Sequence, residues 1–149
     1  MRLRRAEAHD APAIHEVLEQ TAGDGALAPG TPALGDVEAL LRSESAGAFV
    51  ASIDERDVGA ALFDRQGDVV WLFRLAIVPH ARGRGVGRAL VNAVEAGARG
   101  AGASAVFVQV AKHLEARSFF EHIGYEADIE EPDVVAGRAV TLVDLVKLV

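Results

Sequence analysis

One segment narrows the fold more than any other. Arg82-Gly83-Arg84-Gly85-Val86-Gly87 follows an apolar run and opens an amphipathic stretch. The run reads Val-Val-Trp-Leu-Phe-Arg-Leu-Ala-Ile-Val from Val69 to Val78 and stops at Pro79, which predicts a strand buried within a sheet. Val86 to Ala98 sets Val86, Leu90, Ala93, Val94 and Gly97 on one side of a helix. Gly100 and Gly102 close that helix, and Ala105 to Val110 forms a second apolar strand. A strand–helix–strand unit calls for an α/β sheet with helices packed on it. At the junction, alternating glycines let the backbone come close to a ligand. A helix start adds unpaired N–H groups and a partial positive charge, so the segment predicts an anion site suited to phosphate. Arg82, Arg84 and Arg88 add charge there.

Two better-known phosphate loops do not fit. A dinucleotide fingerprint needs Gly-x-Gly-x-x-Gly, but counting on from Gly83 reaches Arg88, and from Gly85 reaches Leu90. A nucleoside-triphosphate loop needs Gly-Lys-Ser or Gly-Lys-Thr, which is missing. The Arg-x-x-Gly-x-Gly spacing is a weak signal alone. Its weight comes from the order of strand, proline, loop and amphipathic helix around it.

The flanking sequence adds antiparallel strands. Residues 2–6 read as an edge strand. Asp10 ahead of Ala11-Pro12 predicts an N-cap, with a helix to about Gln20 carrying Ile14, Val17 and Leu18. Residues 21–35 hold four glycines and two prolines and predict a loop, the expected place for a substrate lid. Asp36 is expected to cap a second helix with Val37, Leu40 and Leu41. Ala48–Ile53 and Val58–Phe63 then form a hairpin about Asp54-Glu55-Arg56-Asp57. After the strand–helix–strand unit come a short helix from Leu114 to Ile123 and two strands, Tyr125–Ile129 and Ala139–Val149. The Glu-Glu-Pro-Asp sequence between them predicts a turn.

At 149 residues the chain suits a single domain over 1–149. It has 22 acidic against 15 basic residues, a net charge of −7, so a general affinity for nucleic acid is not expected. No 7–15-residue apolar run follows the basic start Met1–Arg5, so a signal peptide is not expected, and no run of about 18 apolar residues could span a membrane; the expected location is cytoplasmic and no membrane partner is expected. Cysteine is absent, which removes disulfides, thiolate metal sites and a cysteine nucleophile. The five histidines show no metal-ligand spacing, and no metal is expected.

Leu75 to Leu90, with its Val-Pro-His-Ala-Arg-Gly-Arg-Gly-Val-Gly core, resembles the acetyl-CoA-binding segment of the GNAT superfamily of N-acetyltransferases. Ala116-Arg117-Ser118-Phe119-Phe120-Glu121-His122-Ile123-Gly124-Tyr125 is similar to a later segment of that family. The resemblance implies an α/β (α+β) fold. Its sheet would be mixed and mostly antiparallel, with six to seven strands, splayed at the two core strands and flanked by about four helices. It also implies acetyl-CoA as co-substrate and direct attack by an amine in a ternary complex. The amides of Arg82, Gly83, Arg84, Gly85, Val86, Gly87 and Arg88 would hold the pyrophosphate. Leu75, Ala76 and Ile77 would pair with the pantetheine arm, and the Ile77 amide would polarise the thioester carbonyl.

Three departures bear on mechanism. His113 stands where many family members have Asn, and Phe120 where many have the Tyr that protonates the leaving thiolate. The first core strand carries no carboxylate. His113 is therefore a candidate base or acid, because imidazole titrates near neutrality. Phe120 is expected near the CoA sulfur. Arg74 and Trp71 are candidates for the acceptor site, Arg74 as a partner for a substrate carboxylate. Some amino-acid acetyltransferases of the superfamily have a similar aromatic pair, which favours a small-molecule amine as acceptor. The alternative is an acyl-CoA sensor or partner-binding module with little turnover. By analogy with such domains, a homodimer is also an expectation.

Overall fold

The structure is a computed structural model and describes residues 1–21, 32–111, 115–135 and 137–149. Seven strands form one sheet: β1 (Arg2–Arg5), β2 (Ala46–Ile53), β3 (Arg56–Gln66), β4 (Val69–Ile77), β5 (Ala105–Ala111), β6 (Glu126–Val135) and β7 (Arg138–Leu148). Among the described residues four α-helices accompany them: α1 (Ala11–Gln20), α2 (Leu34–Arg42), α3 (Val86–Gly100) and α4 (Glu115–His122). The sheet order is β1-β2-β3-β4-β5-β7-β6, antiparallel at every pairing except β4 with β5. A parallel pair needs a crossover, and α3 supplies it.

Both faces of β2 and β3 are buried, so both must be covered. On one face α3 lies against Phe49 through Gly97, and against Gly59 through Val86 and Leu90. A side chain at Gly59 would sit 3.0 Å from Val86, so glycine sets how closely α3 approaches the sheet. On the other face α1 packs on β3 and on α2, which packs on β2. Ile14, Val17, Leu18 and Val37 supply the buried side of that pair.

Several predicted boundaries shift. Asp36 lies inside the first turn of α2, behind Ala33 at the N-cap position. Asp10 does stand at the N-cap of α1, but its carboxylate turns back to the Glu7 N–H at 2.7 Å. The Glu130-Glu131-Pro132-Asp133 segment is not a turn. It lies within β6 and pairs with Thr141 to Leu142 and their neighbours on β7. β6 is an edge strand, so the missing N–H of Pro132 can face outward without breaking a ladder. The two-residue turn of the first hairpin holds Asp54 and Glu55 at φ of 51° and 65°.

Candidate active site

The central feature is a gap between β4 and β5. Their parallel ladder runs from Val69 opposite Ala105 to Leu72 opposite Val108 and then ends. β5 continues to Ala111 alongside β7, while β4 continues to Ile77 alongside β3. A bulge marks the divergence: Phe63 faces Leu72 and Leu62 faces Arg74, leaving Phe73 as the extra residue on β4. Bulges bend and re-aim the strand that carries them.

Beyond the bulge, the register decides which backbone groups face the gap. Val78 N–H donates to Val58 C=O at 2.8 Å, so these opposed residues form a hydrogen-bonded pair. Antiparallel pairs alternate, so Ala76 with Ala60 and Arg74 with Leu62 are of the same kind. Leu75 and Ile77 therefore turn their N–H and C=O groups away from β3, toward the side that β5 has vacated. Ala76 turns its backbone groups to β3, so of the three residues expected to pair with pantetheine, Leu75 and Ile77 are the two whose backbone groups face the gap.

The anion loop meets this edge at its end. Val78 leads into a short 3-10 helix, Pro79–Ala81, and the chain reverses into Arg82. Gly83 and Gly85 lie at φ of 78° and 79°, and among the described residues no atom beyond the adjoining ones lies within 4 Å of the position a side chain would take at either. Gly85 is the N-cap of α3 and offers no side-chain cap. The first intrahelical bond noted there runs from Ala89 N–H to Gly85 C=O, at 3.0 Å. The amides of Val86, Gly87 and Arg88 thus form the open first turn of a fifteen-residue helix. Gly87 is closely packed: a side chain there would meet Ile77 at 3.3 Å and Phe119 at 3.5 Å. An uncapped helix start with two unobstructed glycines fits the pyrophosphate of a CoA.

The arginines divide. Arg84 and Arg88 are exposed at the loop and helix start. Arg82, also exposed, turns back and donates from Nε to Ile77 C=O at 3.0 Å. No sequence pattern pointed to that contact, since it depends on the chain reversing at Pro79.

Arg74 and Trp71 lie on the face that α1 and α2 cover, opposite Leu62 and Asp64 respectively. Trp71 packs its ring 5.1 Å from Phe107. Arg74 is half-buried, and burial pulls its guanidinium below the ordinary arginine value. Phe120 is 1 % exposed, held edge-on between Phe119 and Tyr125 with ring centroids 5.0 and 5.2 Å away. Its ring is engaged in packing, and Phe119 is the aromatic that reaches the start of α3. His113 and most of the predicted lid, residues 22–31, lie outside the described residues.

The acetyltransferase (GNAT) family model matches residues 12–125. The chain belongs to the GNAT acetyltransferase family. Solved members share its shape at low identity. The ribosomal-protein-S18-alanine N-acetyltransferase of Escherichia coli is 16 % identical with a TM-score of 0.83, covering 99 % of this chain and 92 % of its own. The ribosomal-protein-alanine N-acetyltransferase of Brucella melitensis is 20 % identical with a TM-score of 0.83, covering all of both chains. NAA60 of Arabidopsis thaliana, in complex with a bisubstrate analogue, is 13 % identical with a TM-score of 0.81, covering 99 % of this chain and 97 % of that one. Sequence comparison with curated proteins finds no match. The expected fold is the observed one, including the divergence of the two core strands and the four flanking α-helices. Among the described residues no group of three or more His, Asp or Glu is placed to hold a metal ion. No described helix is long and apolar enough to cross a membrane.

Proposed function

We propose that this GNAT acetyltransferase moves an acetyl group from acetyl-CoA to the primary amine of a small acceptor, an amino acid or similar amine. The observation that carries the reading is the run of open backbone groups along one path. Leu75 and Ile77 face the gap, and the uncapped amides of Val86, Gly87 and Arg88 follow at the end of the same edge. A pantetheine arm pairs with the strand while the pyrophosphate rests on the helix start. Arg84 and Arg88 supply charge to the phosphates.

In this reading the Ile77 N–H donates to the thioester carbonyl oxygen. Attack by the amine forms the new C–N bond and puts negative charge on that oxygen, where a fixed donor lowers the barrier. Collapse of the tetrahedral centre breaks the C–S bond and releases CoA thiolate. A free thiol has a pKa of about 8.5, so the thiolate can leave without a tyrosine acid. His113 is assigned to the proton lost by the amine, directly or through water. Arg74 is assigned to a carboxylate on the acceptor, since its fork of N–H donors matches a carboxylate and a half-buried position screens such a pair less than water does. The ribosomal-protein enzymes of similar fold also act on a primary amine, by their names that of a protein alanine, so a peptide acceptor belongs in the same screen.

The test is calorimetric binding of acetyl-CoA, followed by CoA release against amino acids, simple amines and alanine-initiated peptides. Micromolar binding with amine-dependent release supports the reading. Binding without release from any amine favours the sensor alternative. No binding overturns both.

A further inference from the structure

Arg82, expected among the phosphate-binding arginines, also bonds the backbone of β4. The Ile77–Val78 peptide is held at both ends: Val78 N–H donates to Val58 C=O at 2.8 Å, and Ile77 C=O accepts from Arg82 Nε at 3.0 Å. The second bond lies on the side of β4 that β5 has left, where a neighbouring strand would otherwise supply the donor. A tight reversal makes it reachable. Ala81 N–H bonds Val78 C=O at 3.0 Å and Arg82 N–H bonds Pro79 C=O at 3.3 Å, so the chain doubles back within five residues of Ile77.

Resting on the acetyl-CoA reading above, we infer that Arg82 is a positioning residue that sets the register of the pantetheine arm along β4. Its guanidinium takes the last outward carbonyl of the strand. The N–H and C=O of Leu75 and the N–H of Ile77 stay open to the substrate, and pairing cannot slide one step toward the loop. Arg82 also ties the first residue of the anion loop to the strand whose Ile77 N–H faces the thioester. The distance between the phosphate end and the reacting carbonyl is thereby fixed through one side chain. Arginine suits this task because its planar fork donates in fixed directions, whereas a lysine ammonium is a point charge on a flexible stem.

A phosphate contact and a register clamp predict different losses. Calorimetry would compare wild type, Arg82→Gln, Arg82→Lys and Arg84→Gln. The two ligands are CoA and adenosine 3′-phosphate 5′-diphosphate, which is the phosphate end of CoA without pantetheine. The clamp predicts that both Arg82 variants weaken CoA by about tenfold, the scale of one lost charged hydrogen bond. Affinity for the pantetheine-free ligand should stay within about twofold of wild type. Arg84→Gln should weaken both ligands together. With any amine that supports turnover, Arg82→Lys should lower kcat at saturating acetyl-CoA, because the Ile77 amide loses its fixed relation to the thioester. Equal losses for both ligands, or full rescue by lysine, would make Arg82 a phosphate contact and overturn the clamp. If wild type binds the pantetheine-free ligand as tightly as CoA, no pairing along β4 exists and the clamp falls with it. If wild type binds neither ligand, the acetyl-CoA reading itself is wrong.

Discussion

The Tyr125 hydroxyl donates a 2.8 Å hydrogen bond to the buried carboxylate of Glu95, joining the start of β6 to the middle of α3. Lys147 of β7 donates to the other Glu95 oxygen at 3.1 Å and to Ile123 C=O at 3.1 Å. The chain's only tyrosine is thus a fixed strut. Burial, followed by the Glu95 contact, drives its pKa far above the ordinary value. So held, it is a poor donor for the proton transfers of the proposed reaction. Tyr125→Phe should cost about 1 kcal/mol of stability and a few degrees in Tm, while kcat and its pH profile stay unchanged. Glu95→Ala should cost more, about 2–3 kcal/mol, because it leaves the buried hydroxyl without its acceptor and Lys147 without its carboxylate. Loss of activity in a folded Tyr125→Phe protein would return the tyrosine to the mechanism.

The conformation of Gly85 links the loop to the helix. At φ 79° it occupies a region that costs other residues about 1–2 kcal/mol, and it faces open space. Gly85→Ala should therefore destabilise by about 1 kcal/mol and weaken acetyl-CoA by about tenfold. Gly85→Trp should abolish binding by filling the volume over the first turn. Calorimetry with melting curves separates the two effects. Unchanged affinity in Gly85→Trp would move the phosphate site elsewhere.

The hairpin turn offers a control outside that loop. Two-residue hairpin loops favour positive φ at both positions, and Glu55 at 65° has no short side chain to ease it. Glu55→Gly should raise stability by about 1 kcal/mol, read as a higher denaturant midpoint. Acetyl-CoA affinity should not change. A destabilised variant would mean that backbone entropy outweighs the relieved strain.

Asp10 predicts the acid limit of the fold. It is 5 % exposed, accepts from Arg4 at 2.7 Å and from the Glu7 N–H at 2.7 Å, and the Arg4 contact holds its carboxyl below the usual range. A lowered folded-state pKa means that the unfolded chain binds the proton first as pH falls. The stabilisation is present in full above about pH 4 and is lost below it, as pH falls through the folded value. Asp10→Asn should flatten that part of the pH–stability curve and cost about 1–2 kcal/mol at pH 7. An unchanged curve would assign acid unfolding to other carboxylates.

What the sequence disclosed followed from periodicity and local chemistry. Val69 to Val78 and Val86 to Ala98 have the patterns of a buried strand and an amphipathic helix, so the strand-to-helix junction between them was legible. Glu130-Glu131-Pro132-Asp133 misled because local composition says turn, while position at the sheet edge permits strand. Which neighbour takes a side chain was less legible still. Arg82 reaches Ile77, and Phe120 is enclosed by Phe119 and Tyr125, only after the chain has folded back. The alternation that turns Leu75 and Ile77 outward also required the observed register with β3.

Arg74 carries the acceptor question. It shares the α1 and α2 face of the sheet with Trp71 and sits directly after the bulge that opens the gap. Arg74 is half-buried, so a carboxylate brought against it is screened less than one at the surface. If the acceptor presents a carboxylate beside its amine, Arg74→Gln should raise its KM by about ten- to a hundredfold, the scale of a charged hydrogen-bond pair. The KM for acetyl-CoA should stay the same, since the proposed CoA site is the backbone edge of β4 and the α3 start. An acceptor amide or ester lacking the carboxylate charge should lose the same factor with wild type and show no further loss with the variant. Steady-state kinetics on the four combinations gives the coupling directly. Independent, additive losses would place the carboxylate away from Arg74 and leave that side chain a structural role on β4.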